Sequence, residues 1–142
     1  VRLLAVSGSY RKGKTIDTLI DRAIEGAQAK RGDIEVERVQ LIDRDIRYCK
    51  NCMVCRNDDP SKRIARCVID DDMQDIYRAL DQADALILGS PVNMGYATAV
   101  MKTFLERACW VLARPGTRPM AGCPEPRVRR GSRAITIVSS GI

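Results

Sequence analysis

Leu3-Leu4-Ala5-Val6-Ser7-Gly8-Ser9-Tyr10-Arg11-Lys12-Gly13-Lys14-Thr15 is the stretch that decides the fold. Its four leading apolar residues read as a short strand buried on both faces. Ser7-Gly8-Ser9 ends that strand in small polar residues. Beyond the turn, Ile16, Leu19, Ile20, Ala23, Ile24 and Ala27 recur at i, i+3, i+4 and i+7, the apolar stripe of a helix. The turn therefore lies between a strand and a helix. Free N–H groups and the positive end of the helix dipole favour an anion there. Ser9 and Thr15 add hydroxyl donors, and Arg11 adds a charge-assisted one. The plain alternative is a solvated loop in which Lys14 or Thr15 caps the helix.

The same alternation continues along the chain. Ile34 to Leu41 reads as a strand with one exposed face. A second helix is expected from Asp71-Asp72, which would cap it, with Met73, Ile76, Tyr77 and Leu80 facing inward. Ala85-Leu86-Ile87-Leu88-Gly89 is another buried strand, broken at Ser90-Pro91. A third helix carries Ala97, Val100, Met101, Phe104, Leu105 and Ala108. Arg114 to Gly131 reads as a long loop, and Ala134 to Val138 as a last strand before Ser139-Ser140-Gly141. Strands alternating with helices imply βαβ units and a mostly parallel sheet. The turns after its three apolar strands then gather on one edge, where ligands of such sheets bind.

Composition narrows the function. A chain of 142 residues, 45% apolar and 30% charged, makes one globular domain rather than two. The formal charge is +6, but Lys and Arg are scattered and aromatics, at 4%, form no base-stacking cluster. Nucleic acid is not expected, and an anionic small ligand explains part of the charge. No apolar run approaches the ~20 residues of a membrane helix, and no signal peptide is expected; the sequence starts at Val1 without a Met, so a missing leading residue is expected. Histidine is absent, which removes His-based triads, His-ligated zinc and His general bases. Cys49, Cys52 and Cys55 stand too close together to staple a fold, so the chain reads as a cytoplasmic α/β enzyme.

Residues 8–15 also satisfy G-x-x-x-x-G-K-[ST], the nucleoside-triphosphate P-loop. Such a site wants an Asp at the end of a neighbouring strand to help hold magnesium. Here the central strand ends in Leu88-Gly89-Ser90-Pro91, and Asp84 lies at its other end. The NTPase reading is thus the weaker alternative.

Asp71-Asp72-Met73-Gln74-Asp75-Ile76-Tyr77, Ala83-Asp84-Ala85, Gly89-Ser90-Pro91-Val92-Asn93-Met94-Gly95 and Met101-Lys102-Thr103-Phe104-Leu105-Glu106-Arg107 together resemble the NADPH-dependent FMN reductase family, which includes the iron–sulfur flavoproteins. Residues 8–15 look like its flavin-phosphate loop. The resemblance implies a single flavodoxin-like domain over 1–142, a three-layer α/β sandwich, with a cysteine-rich insertion at about 43–70. It implies Ser9, Arg11, Lys14 and Thr15 around the FMN phosphate. Pro91, Val92, Asn93, Met94 and Gly95 would border the isoalloxazine ring, and Ser139, Ser140 and Gly141 would approach it from the last strand. Two positions depart from the family: Lys14 stands where Asn is usual, and Asn93 where Tyr or Phe is usual. The family also adds a strand and a helix beyond the point where this sequence stops, so a missing tail or a partner completing the sheet is expected. NAD(P)H as hydride donor, a small-molecule electron acceptor and a homo-oligomer follow by resemblance only.

Cys49-x-x-Cys52-x-x-Cys55 with Cys67 supplies four thiolates. Steps of i, i+3 let sulfurs face one centre, which suits a 4Fe–4S cluster; four-cysteine zinc and no metal at all are the alternatives. Iron–sulfur flavoproteins carry a cluster loop in this part of the chain, but eleven residues separate Cys55 from Cys67, longer than their compact motif. A cluster would make the protein an electron carrier. Cys109 and Trp110 are expected to pack, Lys102 and Arg107 to form a solvated face, and 127–133 to be loop surface or to meet a nucleotide phosphate. Cys123 has no assigned role.

Overall fold

The computed structural model describes residues 1–116, 124–127 and 133–140. Strand β1 (Arg2–Ser7) is central, with β2 (Glu35–Gln40) on one side and β3 (Ala85–Asn93) on the other, both parallel to it. Strand β7 (Arg133–Ser139) pairs in parallel on the far side of β3. The chain thus moves one way from β1 to β2, then reverses past β1 to β3 and β7. Right-handed crossovers in opposite directions put their helices on opposite faces. Helix α1 (Thr15–Lys30) covers one face, while α2 (Met73–Gln82) and α3 (Ala99–Leu112) cover the other.

Alternation along β1 feeds both layers. Leu3 and Ala5 pack with Ile16, Ile20 and Ile24 of α1. Leu4 and Val6 pack with Met73, Ile76, Tyr77, Met101 and Phe104 of the opposite pair. Two expected stripes are narrower than their spacing suggested. Leu19 on α1 and Leu105 on α3 are exposed, because the buried arc of each helix is already filled by its neighbours. Cys109, expected in the core, is also exposed. It lies one turn beyond Leu105, on the outer side of α3.

Strand β3 does not stop at Gly89. It runs on through Ser90-Pro91 to Asn93, because β7 stays in register with it as far as Pro91↔Ser139. Strand β1 ends at Ser7↔Gly89, and the hairpin that follows pairs with β3 only from Val92, so this edge of β3 is open at Ser90-Pro91. An open edge is where a residue lacking an N–H can sit in a strand. Met94 and Gly95, with φ of 50° and 84°, then form a two-residue turn into β4 (Tyr96–Ala97). Positive φ at both central positions is the turn that suits a hairpin's twist. Ala97 accordingly belongs to the hairpin, and α3 starts two residues later behind Thr98. The expected loop from Arg114 contains a short antiparallel ribbon, β5 (Ala113–Pro115) with β6 (Pro124–Pro126).

Two arginines placed on the surface from the sequence are buried. Arg107 is 2% exposed and grips Asp71 through Nη1 and Nη2, at 2.6 and 2.9 Å. This fork ties the end of the cysteine-bearing loop to α3. Asp71 also receives the Met73 N–H at 3.2 Å, a capping bond expected of either acid; Asp72 instead receives the Asp45 N–H. Arg127 donates to the carbonyls of Ala113, Asp58, Asp59 and Lys62. It is a post inside the loop, not a surface charge.

At Gly8 an added Cβ would stand 2.8 Å from Met101 Cβ and 3.1 Å from Thr98 Oγ1. Gly8→Ala should therefore push α3 off the turn and cost about 1–3 kcal/mol in urea unfolding. Burial would raise the Asp71 carboxyl, but the Arg107 guanidinium, with the Arg47 N–H, holds it below the usual carboxylate range. Its contribution to stability is then full at neutral pH and fades only as pH falls below about 4, through the lowered folded-state value. Asp71→Asn should cost ~3–5 kcal/mol at pH 7, and its deficit should narrow in the acid limb of a pH-dependent unfolding series.

Candidate functional site

The turn after β1 is braced from below. Ser7 Oγ donates to Asp17 Oδ1 and the Gly13 N–H donates to Asp17 Oδ2, each at 2.6 Å. Burial pushes the Asp17 carboxyl up, but Ser7, Gly13, Gln40 and Arg38 together hold it below its ordinary value. It stays an anion, and one carboxylate fixes both ends of the turn. Gly13 takes φ of 66°, so the chain reverses there without Cβ strain. Ser9 Oγ bonds to the Arg11 backbone, accepting from its N–H at 3.2 Å and donating to its carbonyl at 3.1 Å.

The turn is also clamped from the side. Gly8 N–H donates to the Gly89 carbonyl at 2.8 Å, and Thr98 Oγ1 donates to the Gly8 carbonyl at 2.7 Å. Thr98 Oγ1 accepts from Met101 N–H, capping α3, and Thr98 N–H donates to Ser90 Oγ at 3.2 Å. The Tyr10 hydroxyl accepts the Ala99 N–H at 2.9 Å. Asp17, Thr98 and Tyr10 were missed as site-forming residues. Thr98 was legible: a Thr just before an apolar-periodic run is a helix start signal.

These braces leave a cleft of about 390 Å³, lined by Ser9, Tyr10, Arg11, Lys14, Thr15, Ile16, Pro91, Val92, Asn93 and Ser139. Ligand pockets generally start at ~300 Å³. The turn after β1 therefore meets the carboxyl ends of β3 and β7 at one place, rather than the turns that follow them. Met94, Gly95 and Ser140 lie outside the lining, the first two because they form the tip of the β3–β4 hairpin. Gly141 and Cys123 are outside the described residues. Lys12 is committed to Asp43 at 2.5 Å. Arg11 and Lys14 are exposed and have no carboxylate partner among the described residues. Helix α1 begins at the cleft with no side-chain cap, so its first N–H groups remain available to an anion. No carboxylate is among the lining residues.

A second cleft, of about 350 Å³, opens at the opposite ends of the strands. Glu35, Glu37 and the C-terminal end of α2 (Ala79, Gln82) line it with Arg2. Carboxylates and the negative end of a helix dipole disfavour a phosphate there.

The cysteine loop forms a separate site against α3. Cys49, Cys52, Cys55 and Cys67 line one small cavity of about 30 Å³, together with Arg107 and Trp110. The long gap before Cys67 is folded away. Asp58 Oδ2 accepts the Arg66 N–H at 2.7 Å, Lys62 Nζ sits 2.8 Å from Asp58 Oδ1, and Arg127 gathers the carbonyls between them. Lys62 and the Arg66 N–H hold the Asp58 carboxyl down to about 2. Two of the four sulfurs receive N–H groups: Cys49 from Asn51 at 3.4 Å and Cys67 from Arg107 Nη2 at 3.5 Å. Burial pushes the Cys55 thiol up, with Cys67, Cys49 and Cys52 adding to the rise. Donors aimed at sulfur are the outer shell expected of a thiolate-bound centre. The donor set fits such a centre, although among the described residues no three Cys, Asp or Glu groups are close enough to share one ion.

Comparison with known proteins agrees with this geometry. The sequence model of the NADPH-dependent FMN reductase family matches residues 1–124. An iron-sulfur flavoprotein of Methanosarcina thermophila is 35% identical over 108 residues, covering 76% of this chain and 52% of that protein. One from Methanocaldococcus jannaschii is 30% identical over 141 residues, covering 99% of this chain and 62% of its own length. The chain spans about half the length of most of the curated relatives it matches. An azoreductase structure from Bacillus anthracis superposes with a TM-score of 0.67 at 13% identity, over 99% of this chain and 69% of that one, a likeness of fold alone. The chain belongs to the NADPH-dependent FMN reductase family, built on a flavodoxin-like α/β fold.

Proposed function

We propose that the chain is the FMN-binding part of an oxidoreductase that takes electrons from a reduced nicotinamide and passes them to a small acceptor. One observation carries this reading: the turn after β1 and the ends of β3 and β7 converge on a cleft that offers hydroxyls, two cations with no carboxylate partner among the described residues and an uncapped helix start. FMN, when bound there, would supply a two-electron redox centre. Arg11, Lys14, Thr15 and the first N–H groups of α1 hold the phosphate. Ser9 keeps the Arg11 backbone in place beside it. Pro91, Val92, Asn93 and Ser139 border the ring. Asn93 leaves the ring without the aromatic neighbour usual in the family. Cytoplasmic location and homo-oligomeric assembly rest on cysteine usage and family resemblance.

A second centre is favoured by the cysteine cavity. Cys49, Cys52, Cys55 and Cys67 would hold a 4Fe–4S cluster, which supplies one-electron transfer. The N–H groups on two of the sulfurs support this reading, as does the kinship with iron-sulfur flavoproteins. The protein would then carry electrons between two-electron and one-electron partners. The P-loop NTPase reading has no carboxylate in the cleft to support it.

Flavin fluorescence titrations test the phosphate assignment. Arg11→Ala should weaken FMN binding about 10- to 150-fold, the equivalent of a charge-assisted bond of ~1.5–3 kcal/mol. Riboflavin, which lacks the phosphate, should bind both forms alike. Equal FMN affinity in the two forms would remove Arg11 from the site. Under anaerobic conditions NADPH or NADH should bleach the visible flavin band of the loaded protein; a band that persists with both would exclude the nicotinamide as donor.

A further inference from the structure

Arg107 makes more contacts than a structural tie needs. Its fork on Asp71 is complete, with both carboxylate oxygens engaged and the Asp71 side chain fully buried. Nη1 also donates to the Arg47 carbonyl at 2.6 Å. Nη2 reaches further, to Cys67 Sγ at 3.5 Å. Arg107 lines the cysteine cavity, and its Nε is buried without a partner among the described residues. The Cys67 backbone is held independently, since Gln74 Nε2 donates to the carbonyls of Cys67 and Ile69. Position and donor are thus fixed separately: Gln74 places the cysteine, and Arg107 addresses its sulfur.

We propose that Arg107 is a positioning residue for a thiolate-bound iron–sulfur centre, directing an N–H at the Cys67 sulfur and thereby raising the reduction potential of that centre. This rests on the cluster reading above. Asp71 neutralises the guanidinium, so the sulfur meets an oriented donor rather than a net charge. Adding one electron to the centre, from a reducing titrant, increases the negative charge on its sulfurs. A hydrogen bond to sulfur favours that more negative state. The planar guanidinium can hold a carboxylate with two N–H groups and still present another bond, whereas a lysine ammonium has no fixed fork. A lysine in this place keeps the charge and loses the aim.

The test uses the full chain, reconstituted without oxygen with ferrous iron, sulfide and FMN, as wild type and as Arg107→Lys. Iron, sulfide and flavin contents are measured first, then the midpoint potentials by a redox titration followed by electron paramagnetic resonance. The loaded variant should show an iron–sulfur midpoint lowered by about tenfold in the one-electron equilibrium, about 59 mV, with the flavin midpoint unmoved. An unmoved iron–sulfur midpoint in a loaded variant overturns the role of Arg107 and leaves the cluster reading standing. Wild type that takes up no iron overturns both. If the variant fails to fold, pulsed resonance on wild type grown with arginine labelled with nitrogen-15 in the guanidinium alone decides: a nitrogen coupling to the reduced centre supports the proposal, and its absence overturns it.

Discussion

Gly8 is where the molecule is joined. Its N–H is bonded to the Gly89 carbonyl and its carbonyl to the Thr98 hydroxyl, at 2.8 and 2.7 Å. One residue thus links the end of β1 to the middle of β3 and the start of α3. The contact requires the absence of a side chain, because Met101 Cβ already fills the place where one would stand. With it in place, the helices that follow β1 and β3 both begin at the same edge of the sheet, beside the point where strand order reverses. A cleft there is a consequence of topology; its cations and hydroxyls are a consequence of the sequence that happens to fill the turn.

Helix α3 serves both candidate sites. Its capped start faces the cleft, where Ala99 meets Tyr10, and Arg107 meets the cysteine loop two and a half turns on. At 1.5 Å of rise per residue the two places lie roughly 13 Å apart along the helix axis. The Asp71–Arg107 fork sets where the loop returns to that helix, and the Tyr77 hydroxyl reinforces it by donating to the Arg107 carbonyl at 2.9 Å. The proposed flavin and the proposed cluster would therefore share one rigid element.

Local pattern made most of the framework legible. The run from Leu3 to Val6, the stripe of Ile16, Ile20 and Ile24, and the turns of small residues carry their meaning within a few positions. What depended on distant partners was not legible. Arg107 reads as a surface charge until Asp71, thirty-six residues earlier, is folded against it, and Arg127 conceals its role in carbonyls far back in the chain. The Ser90-Pro91 pair reads as a break because nothing local reveals that β7 pairs on one side while β1 has already ended on the other. The cysteine spacing was legible as four sulfurs, but not as one cavity, since the folding of residues 56–66 relies on Asp58 and Arg127. Around the cleft, Ser9, Arg11, Lys14, Thr15, Pro91, Val92, Asn93 and Ser139, expected at the flavin from family resemblance, all fall on the lining.

The central claim is that one phosphorylated flavin occupies the place where the turn after β1 meets the ends of β3 and β7. Amide hydrogen exchange with and without saturating FMN measures this directly. Slowed exchange is expected together at residues 9–16, 92–93 and 139, with the groove around Arg2, Glu35 and Gln82 unaffected. Protection confined to that opposite groove, or to only one of the three segments, would contradict it.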